Sequence, residues 1–247
     1  MAAARELTVA TANVKTLYPA ELASARARIA GTQLRGKTQV LEIMFADEGI
    51  DVVGIQEGRD RERRIREGLH YDMYVGASDE GGEAGCQVWV AKALSFKMHA
   101  FDAAPRITWV AGHAKSIGLM LLVAAHSPCE ADSPERRTKF WDALHDTLVD
   151  AAAKFPGAAT FLLIDANGRV GHAPPATGPC GAAPTNRNGA SLLATLDRLG
   201  MQAANTFFDA GHTWRSARQL PGQEQRGTAR IDYICDRLRP GDARLRS

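Results

Sequence analysis

The sequence has no internal repeat, no C-x-x-C pair and no apolar run near the roughly 20 residues that span a bilayer. Its four cysteines, Cys86, Cys129, Cys180 and Cys235, stand far apart. That spacing argues against a structural zinc site and fits a reducing compartment. Met1 to Glu6 is alanine-rich, but no apolar core and cleavage site follow, so no secretory signal is expected. Together these absences predict an intracellular protein, nuclear or cytoplasmic, with no membrane attachment. Charge of one sign is missing too. A net charge of +2 over 247 residues does not by itself announce a nucleic-acid partner.

What is present is an ordinary globular composition, 45% apolar, at a length that fits one large domain or two small ones. Arginine is clustered rather than plentiful. Arg59, Arg61, Arg63, Arg64 and Arg66 form one group, and Arg230, Arg237, Arg239, Arg244 and Arg246 form another. Such groups can meet phosphates. Asp60, Glu62 and Glu67 interleave the first group, so a solvated helix face with internal ion pairs explains it as well.

The central stretch is Thr160-Phe161-Leu162-Leu163-Ile164-Asp165-Ala166-Asn167-Gly168. Its apolar run is too short for a helix and reads as a strand buried on both faces, ended by a turn at Gly168. Asp165 and Asn167 then sit at the C-terminal end of a central strand, where layered α/β proteins bind ligands. A carboxylate beside an amide suits activation of a water and the holding of a phosphate oxygen. Capping of the turn is the competing reading.

Other strands end the same way. Leu7 to Asn13 alternates apolar and small polar residues and closes on Asn13; Asp51 to Glu57 is buried in character and closes on Glu57; Gly118 to Ala125 runs into His126-Ser127-Pro128. Further strands are expected at Tyr71 to Val75, Gly85 to Val90, Leu94 to His99, Ile107 to Ala111, Thr213-Trp214 and Arg230 to Ile234, with Met201 to Phe208 extended. Helices are expected over Lys37 to Glu48, with the stripe Val40, Leu41, Met44 and Phe45; from Pro134 to about Lys154, with Phe140, Trp141, Leu144 and Leu148 on one face; and over Asn188 to Leu199. Strands outnumber helices and alternate with them irregularly, which fits two packed sheets with helices outside.

The order of these pieces resembles the endonuclease/exonuclease/phosphatase superfamily from Thr11 to Ile234. Thr11-Ala12-Asn13-Val14 looks like its first motif and Ile55-Gln56-Glu57 like its second. His126-Ser127-Pro128, Asp165-Ala166-Asn167, Asn188-Gly189 with Leu192-Leu193, Asn205-Thr206-Phe207-Phe208, Thr213-Trp214 and Arg230-Ile231-Asp232-Tyr233 follow in the family's order. The resemblance implies a four-layer α/β sandwich of the DNase I-like kind, with two packed, mostly antiparallel sheets flanked by helices, formed by residues 1–247 as one domain. It also implies metal-dependent hydrolysis of phosphodiesters. Glu57 and Asn13 would hold the metal, Mg²⁺ or else Mn²⁺. Asp165 would align and deprotonate the water, and Asn167 would steer it. His126 would donate to the phosphate, unless it is a satisfied strand-end histidine. Asp232 would orient a catalytic His.

The Asn-Thr-Phe-Phe, Thr-Trp and Arg-Ile-Asp-Tyr-Ile segments look most like the endonuclease domains of non-LTR, LINE-type retrotransposons. Asn205, Trp214 and Arg230 from those segments are the candidate substrate contacts, with core packing the competing fate of Trp214. DNA is the expected partner, and the oligomeric state is left open. Three departures stand out. Ile164 replaces the Gly that usually precedes the core Asp, His126 replaces the commoner Tyr, and Lys15 stands where apurinic-site nucleases carry Asp. The family also ends in a strand bearing Ser-Asp-His, whereas the sequence ends Arg244-Leu245-Arg246-Ser247. The chain therefore reads as truncated and impaired, with Asp232 lacking its partner. Two other readings stay open: a phosphoesterase of the same fold acting on a lipid or nucleotide, and a catalytically dead remnant that binds nucleic acid.

Overall fold

The computed structural model describes residues 6–15, 17, 36–180, 184–209, 211–215 and 228–237; of Trp214 and Arg215 it describes the backbone alone. The sequence expectations for Arg239, Arg244 to Ser247 and the loop 218–227 lie outside the described residues. In chain order the elements are β1 (Val9–Asn13), α1 (Lys37–Asp47), β2 (Val52–Gln56), β3 (Arg64–Glu67), β4 (Tyr71–Val75), β5 (Gln87–Ala91), β6 (Lys97–Ala104), β7 (Ile107–Ala114) and β8 (Gly118–His126). There follow α2 (Pro134–Lys154), β9 (Ala159–Asp165), α3 (Arg187–Leu199), β10 (Gln202–Ala203), β11 (Trp214–Arg215), β12 (Thr228–Ala229) and β13 (Asp232–Asp236).

Two sheets carry the fold. One has the order β1-β2-β5-β4-β3, the other β10-β13-β9-β8-β7-β6, and a small β11-β12 ribbon stands apart. Among the strands of the described residues, β1–β2 and β8–β9 pair parallel and the other neighbouring pairs are antiparallel. The apolar side chains sort into three cores, which makes four layers. Leu41, Phe45 and Ala46 of α1 pack on Val53, Ile55, Tyr71 and Trp89, the outer face of the first sheet. Val52, Tyr74, Val88 and Val90 meet Val110, Met120, Leu122, Ala124 and Leu163 between the sheets. Phe140, Trp141, Leu144 and Leu148 of α2, with Leu192 and Leu196 of α3, cover Leu121, Val123, Leu162 and Ile164 on the outer face of the second sheet. The sheets come close at Gly54, where a Cβ would lie 2.3 Å from that of Leu163.

Local signals explain the helix limits. Ser133 accepts from the Arg136 amide and Pro134 opens α2; Asn186 accepts from the Gly189 amide and Gly200, left-handed at φ +59°, closes α3. Four expectations need correction. The arginine group after Glu57 is no helix face: Arg64–Glu67 is the edge strand β3, whose charged and exposed residues suit an unpaired edge. Met201 to Phe208 is not extended throughout. After the two-residue β10 it coils into a 3-10 turn over Ala204–Thr206, where Thr206 Oγ1 donates to the Ala203 carbonyl. Leu94 closes a 3-10 turn rather than opening a strand. On α1 the stripe is only half inward, because Val40 and Met44 are exposed.

Candidate active site

Strand alternation builds the site. In β9, Leu162 and Ile164 join the core under the helices while Leu163 faces the other sheet, so Asp165, of the same parity as Leu163, also faces it. In β8, Ala125 lies under the helices and Ala124 between the sheets, which turns His126 inward as well. The same count brings Asp232 of β13 inward opposite Tyr233. Register then lines up the ends: His126 and Asp232 are the two pairing partners of Asp165. On the facing sheet, Asn13 pairs with Gln56, and Glu57 follows directly. Sequence-predicted residues from five strands thus meet at one end of the sandwich.

The contacts are specific. Asn13 Nδ2 donates to Glu57 Oε1 and to Asp165 Oδ2, each at 2.9 Å. The second carboxylate oxygen of Glu57 meets the Arg59 guanidinium at 2.9 Å. Burial alone would raise the Glu57 pKa, but the donors Asn13 and Arg59 and the nearby His126 outweigh it and hold the group lower. Asp165 Oδ1 accepts the Asn167 amide at 2.9 Å. Asn167 spends both side-chain hydrogens, one on the Ser127 carbonyl at 2.9 Å and one toward His126 Nε2 at 3.2 Å. His126 Nε2 lies 4.0 Å from Glu57 Oε1 and 3.9 Å from Asp165 Oδ2.

Two of the sequence-derived roles change in this geometry. With Asn167 donating to Nε2, His126 carries its proton on Nδ1, which is buried with no hydrogen-bond partner among the described residues. Burial lowers its pKa, with Arg106 and Arg59 in support and against the pull of Asp165 and Glu57. In this form it has no Nε2 proton to give a phosphate. Likewise, Asn167 has only its carbonyl oxygen left for a ligand, so it can accept from a water but not donate to an anion. Asp232 is pushed up to about 7 by burial and by the charge of Asp165, against the Thr213 hydroxyl, and its Oδ1 is buried without a hydrogen-bond partner among the described residues.

The three substrate-contact candidates are placed differently. Arg230 is buried, its Nε and NH1 donating to the carbonyls of Gly211, Cys180 and Asn205. It therefore locks three segments together and does not face the cleft as a phosphate contact. Asn205 clamps β13, donating to the Asp232 carbonyl at 3.0 Å and accepting from Ile234 N at 3.3 Å. The Trp214 side chain lies outside the described residues.

Arg59 and Asn188 carry weight that the sequence reading did not give them. Asn188 is buried, and its Nδ2 donates to the Pro128 carbonyl at 2.8 Å and reaches the Asn167 carbonyl at 3.3 Å, while Trp141 Nε1 donates to its Oδ1. It ties the loops after β8 and β9 to each other. The buried position inside an otherwise periodic helix was the available signal. Strain collects here as well: Lys15, Glu57, Arg59 and Asn167 all hold positive φ, between 43° and 60°. Non-glycine residues rarely do so, and such conformations gather at functional sites.

No family model matches this chain, and no curated protein does. Solved structures do. The endonuclease domain of TRAS1, a telomere-specific non-LTR retrotransposon, is 17% identical over 94% of this chain and 84% of its own, with a TM-score of 0.57. The APE2 catalytic domain of Xenopus laevis is 16% identical over 93% and 82%, with a TM-score of 0.60. A mannosyl-6-phosphatase of Bacteroides thetaiotaomicron is 14% identical over 94% and 85%, with a TM-score of 0.57. The chain has the endonuclease/exonuclease/phosphatase fold. At these identities the likeness extends to the fold alone. In that fold, the convergence of Asn13, Glu57, His126, Asp165 and Asn167 belongs to this sequence and is read from its own contacts.

Proposed function

We propose that this site hydrolyses phosphodiesters with the help of a divalent cation, and that its substrate is DNA, nicked in the manner of a retrotransposon-type endonuclease. The observation that carries the reading is Asn13 bridging Glu57 Oε1 and Asp165 Oδ2 at 2.9 Å each. Two carboxylate oxygens from facing sheets converge on one electropositive group, which is the surrounding a hard cation requires. Among the described residues no three or more His, Cys, Asp or Glu side chains form a metal cage. Mg²⁺ is commonly held by one or two carboxylates with water and substrate oxygens completing its shell. Glu57 would hold it, and Asn13 would join through its Oδ1, which here accepts from Lys15 N, once the cation displaces its amide nitrogen from between the carboxylates. When bound, the cation neutralises charge on the phosphate and acidifies a water.

The other residues act on the water and the scissile group. Asp165, at 2% exposed, keeps lone pairs free on its carboxylate and takes the proton of the attacking water. The carbonyl oxygen of Asn167 accepts the water's other hydrogen and aims it. Arg59 sits 42% exposed beside Glu57, where a guanidinium released from that carboxylate meets a phosphate oxygen. The choice of DNA over a small ester rests on the motif segments from Asn205 to Ile234, since an endonuclease and a mannosyl-6-phosphatase share this fold at the same TM-score.

The test is nicking of supercoiled plasmid with Mg²⁺ or Mn²⁺, beside phosphate release from small esters and salt-dependent DNA retention without turnover. Nicking that Asp165→Ala and Glu57→Gln both abolish is the expected result. Phosphate release without nicking would replace DNA by a small substrate. Retention with no turnover under either ion would leave binding as the function.

A further inference from the structure

Two arginines from different elements converge beside the candidate site. Arg106 sits in the turn between β6 and β7, and Arg136 lies in the first turn of α2. The Arg106 backbone carbonyl accepts from His126 N at 3.0 Å, and its Nη1 donates back to the His126 carbonyl at 3.2 Å. The guanidinium is thereby fixed at the end of the strand that carries His126. Arg136 is held in a similar way. Its Nη1 meets Asp132 Oδ1 at 3.0 Å, and the other oxygen of Asp132 accepts from Cys129 N at 2.7 Å, in the loop after β8.

Each arginine thus spends Nη1 on an anchor. The two Nη2 groups turn to a single atom, Glu83 Oε2, which lies 3.9 Å from Arg106 and 3.7 Å from Arg136. Both distances are too long for a hydrogen bond. Glu83 belongs to the loop between β4 and β5, and its side chain is 61% exposed, so ion pairs of this kind contribute little. An oxygen set between two guanidiniums is what a phosphate offers, with more charge and more acceptors than a carboxylate. The proposed hydrolysis leaves this pair of arginines unused.

We propose that Arg106 and Arg136 form a second phosphate subsite, which Glu83 fills until substrate displaces it. Its ligand is a phosphate of the DNA strand neighbouring the one held at Glu57 and Asp165. His126, whose carbonyl holds Arg106, is the pairing partner of Asp165, so the second subsite adjoins the first across one strand end. A chain of consecutive phosphates fills both subsites, whereas a small ester with one phosphate fills only the first. The inference rests on the phosphodiesterase reading of the site and gives it a source of preference for a polynucleotide.

The test is binding of a short fluorescein-labelled DNA duplex to the full chain, followed by anisotropy in chelator over a range of salt, so that no turnover is needed. Glu83→Gln should bind several-fold more tightly than the parent, because the competing acid is gone; a misfolded variant would not gain affinity. Glu80→Gln, which removes an exposed acid of the same loop, should gain much less. Arg136→Met should bind several-fold more weakly and lower the slope of log K against log salt by about one. Added to Arg136→Met, Glu83→Gln should give a smaller gain than it gives alone. Equal gains from Glu80→Gln and Glu83→Gln would reduce the effect to bulk charge and overturn the proposal. So would no gain from Glu83→Gln, an unchanged slope in Arg136→Met, or a parent that binds no duplex. Plasmid nicking by the parent with Mg²⁺ is scored separately: nicking without this order of affinities sinks the subsite alone, and this order without nicking keeps the subsite and sinks the hydrolysis.

Discussion

Asp232→Asn should stabilise the protein, and the gain should grow with pH. The folded carboxyl is pushed from 3.8 to about 7, first by burial and then by Asp165. Between those values the folded state holds a proton that the unfolded chain has released. The protonated carboxyl's contribution is complete below about pH 4 and is lost as pH rises through 7. A shift of about 3 units amounts to roughly 4 kcal/mol, of which about 1.5 kcal/mol is already felt near pH 5. An asparagine of the same shape never ionises and escapes this loss. Relative to the parent, the variant should therefore gain about 2–3 kcal/mol more near pH 8.5 than near pH 5. Asp236, also raised by burial, to about 6, is present in both proteins and cancels in the difference. The assay is urea unfolding of both proteins in chelator at the two pH values. A variant that loses stability, most of all at high pH, would refute the reasoning and show Asp232 to be ionised and partnered.

Three further outcomes are expected. Glu57→Gln should weaken Mg²⁺ or Mn²⁺ binding in calorimetry by tenfold or more, and Asn167→Ala should change it little, since a carboxylate supplies charge that an amide cannot; equal effects would count against the assignment. Arg59→Met should instead strengthen ion binding several-fold, because it frees the Glu57 oxygen that the guanidinium holds at 2.9 Å; weaker binding would make Arg59 an organiser of Glu57 rather than its competitor. Gly54→Ala should cost about 1–3 kcal/mol or more in thermal or urea unfolding, since the added carbon would stand 2.3 Å from Leu163 Cβ and must push the sheets apart. A variant as stable as the parent would mean that the sheets do not meet there.

The sequence made legible whatever alternation controls. A buried run that ends in a polar residue announces both a strand and the face its last side chain takes, and for this reason the meeting of Asn13, His126 and Asp165 could be expected before any coordinates, whereas Glu57 and Asp232 were expected there from the family resemblance. What stayed hidden is set by tertiary context. Glu57 lies one residue past β2 at φ +54°, and Asn167 lies two past Asp165 at φ +43°. Asparagine tolerates that backbone, so Asn167 is no surprise in a turn, but nothing in a glutamate side chain asks for it. The four residues of β3 are too charged to read as a strand because an edge needs no apolar face.

Arg230 shows the same limit in chemical terms. A guanidinium meets a phosphate oxygen and a backbone carbonyl with the same donors, so residue type cannot say which it will find. The decision lies with Cys180, fifty positions away, and with Gly211 and Asn205, whose carbonyls the fold delivers to one point. A buried arginine already satisfied there can position β13, and with it Asp232, but cannot also reach substrate. Arg59 has the opposite circumstances. It is exposed beside the site and holds one carboxylate that a cation would claim. Of the two arginines, the one with a replaceable partner is the one available to chemistry, and replaceability is a property of the folded site that no spacing in the sequence encodes.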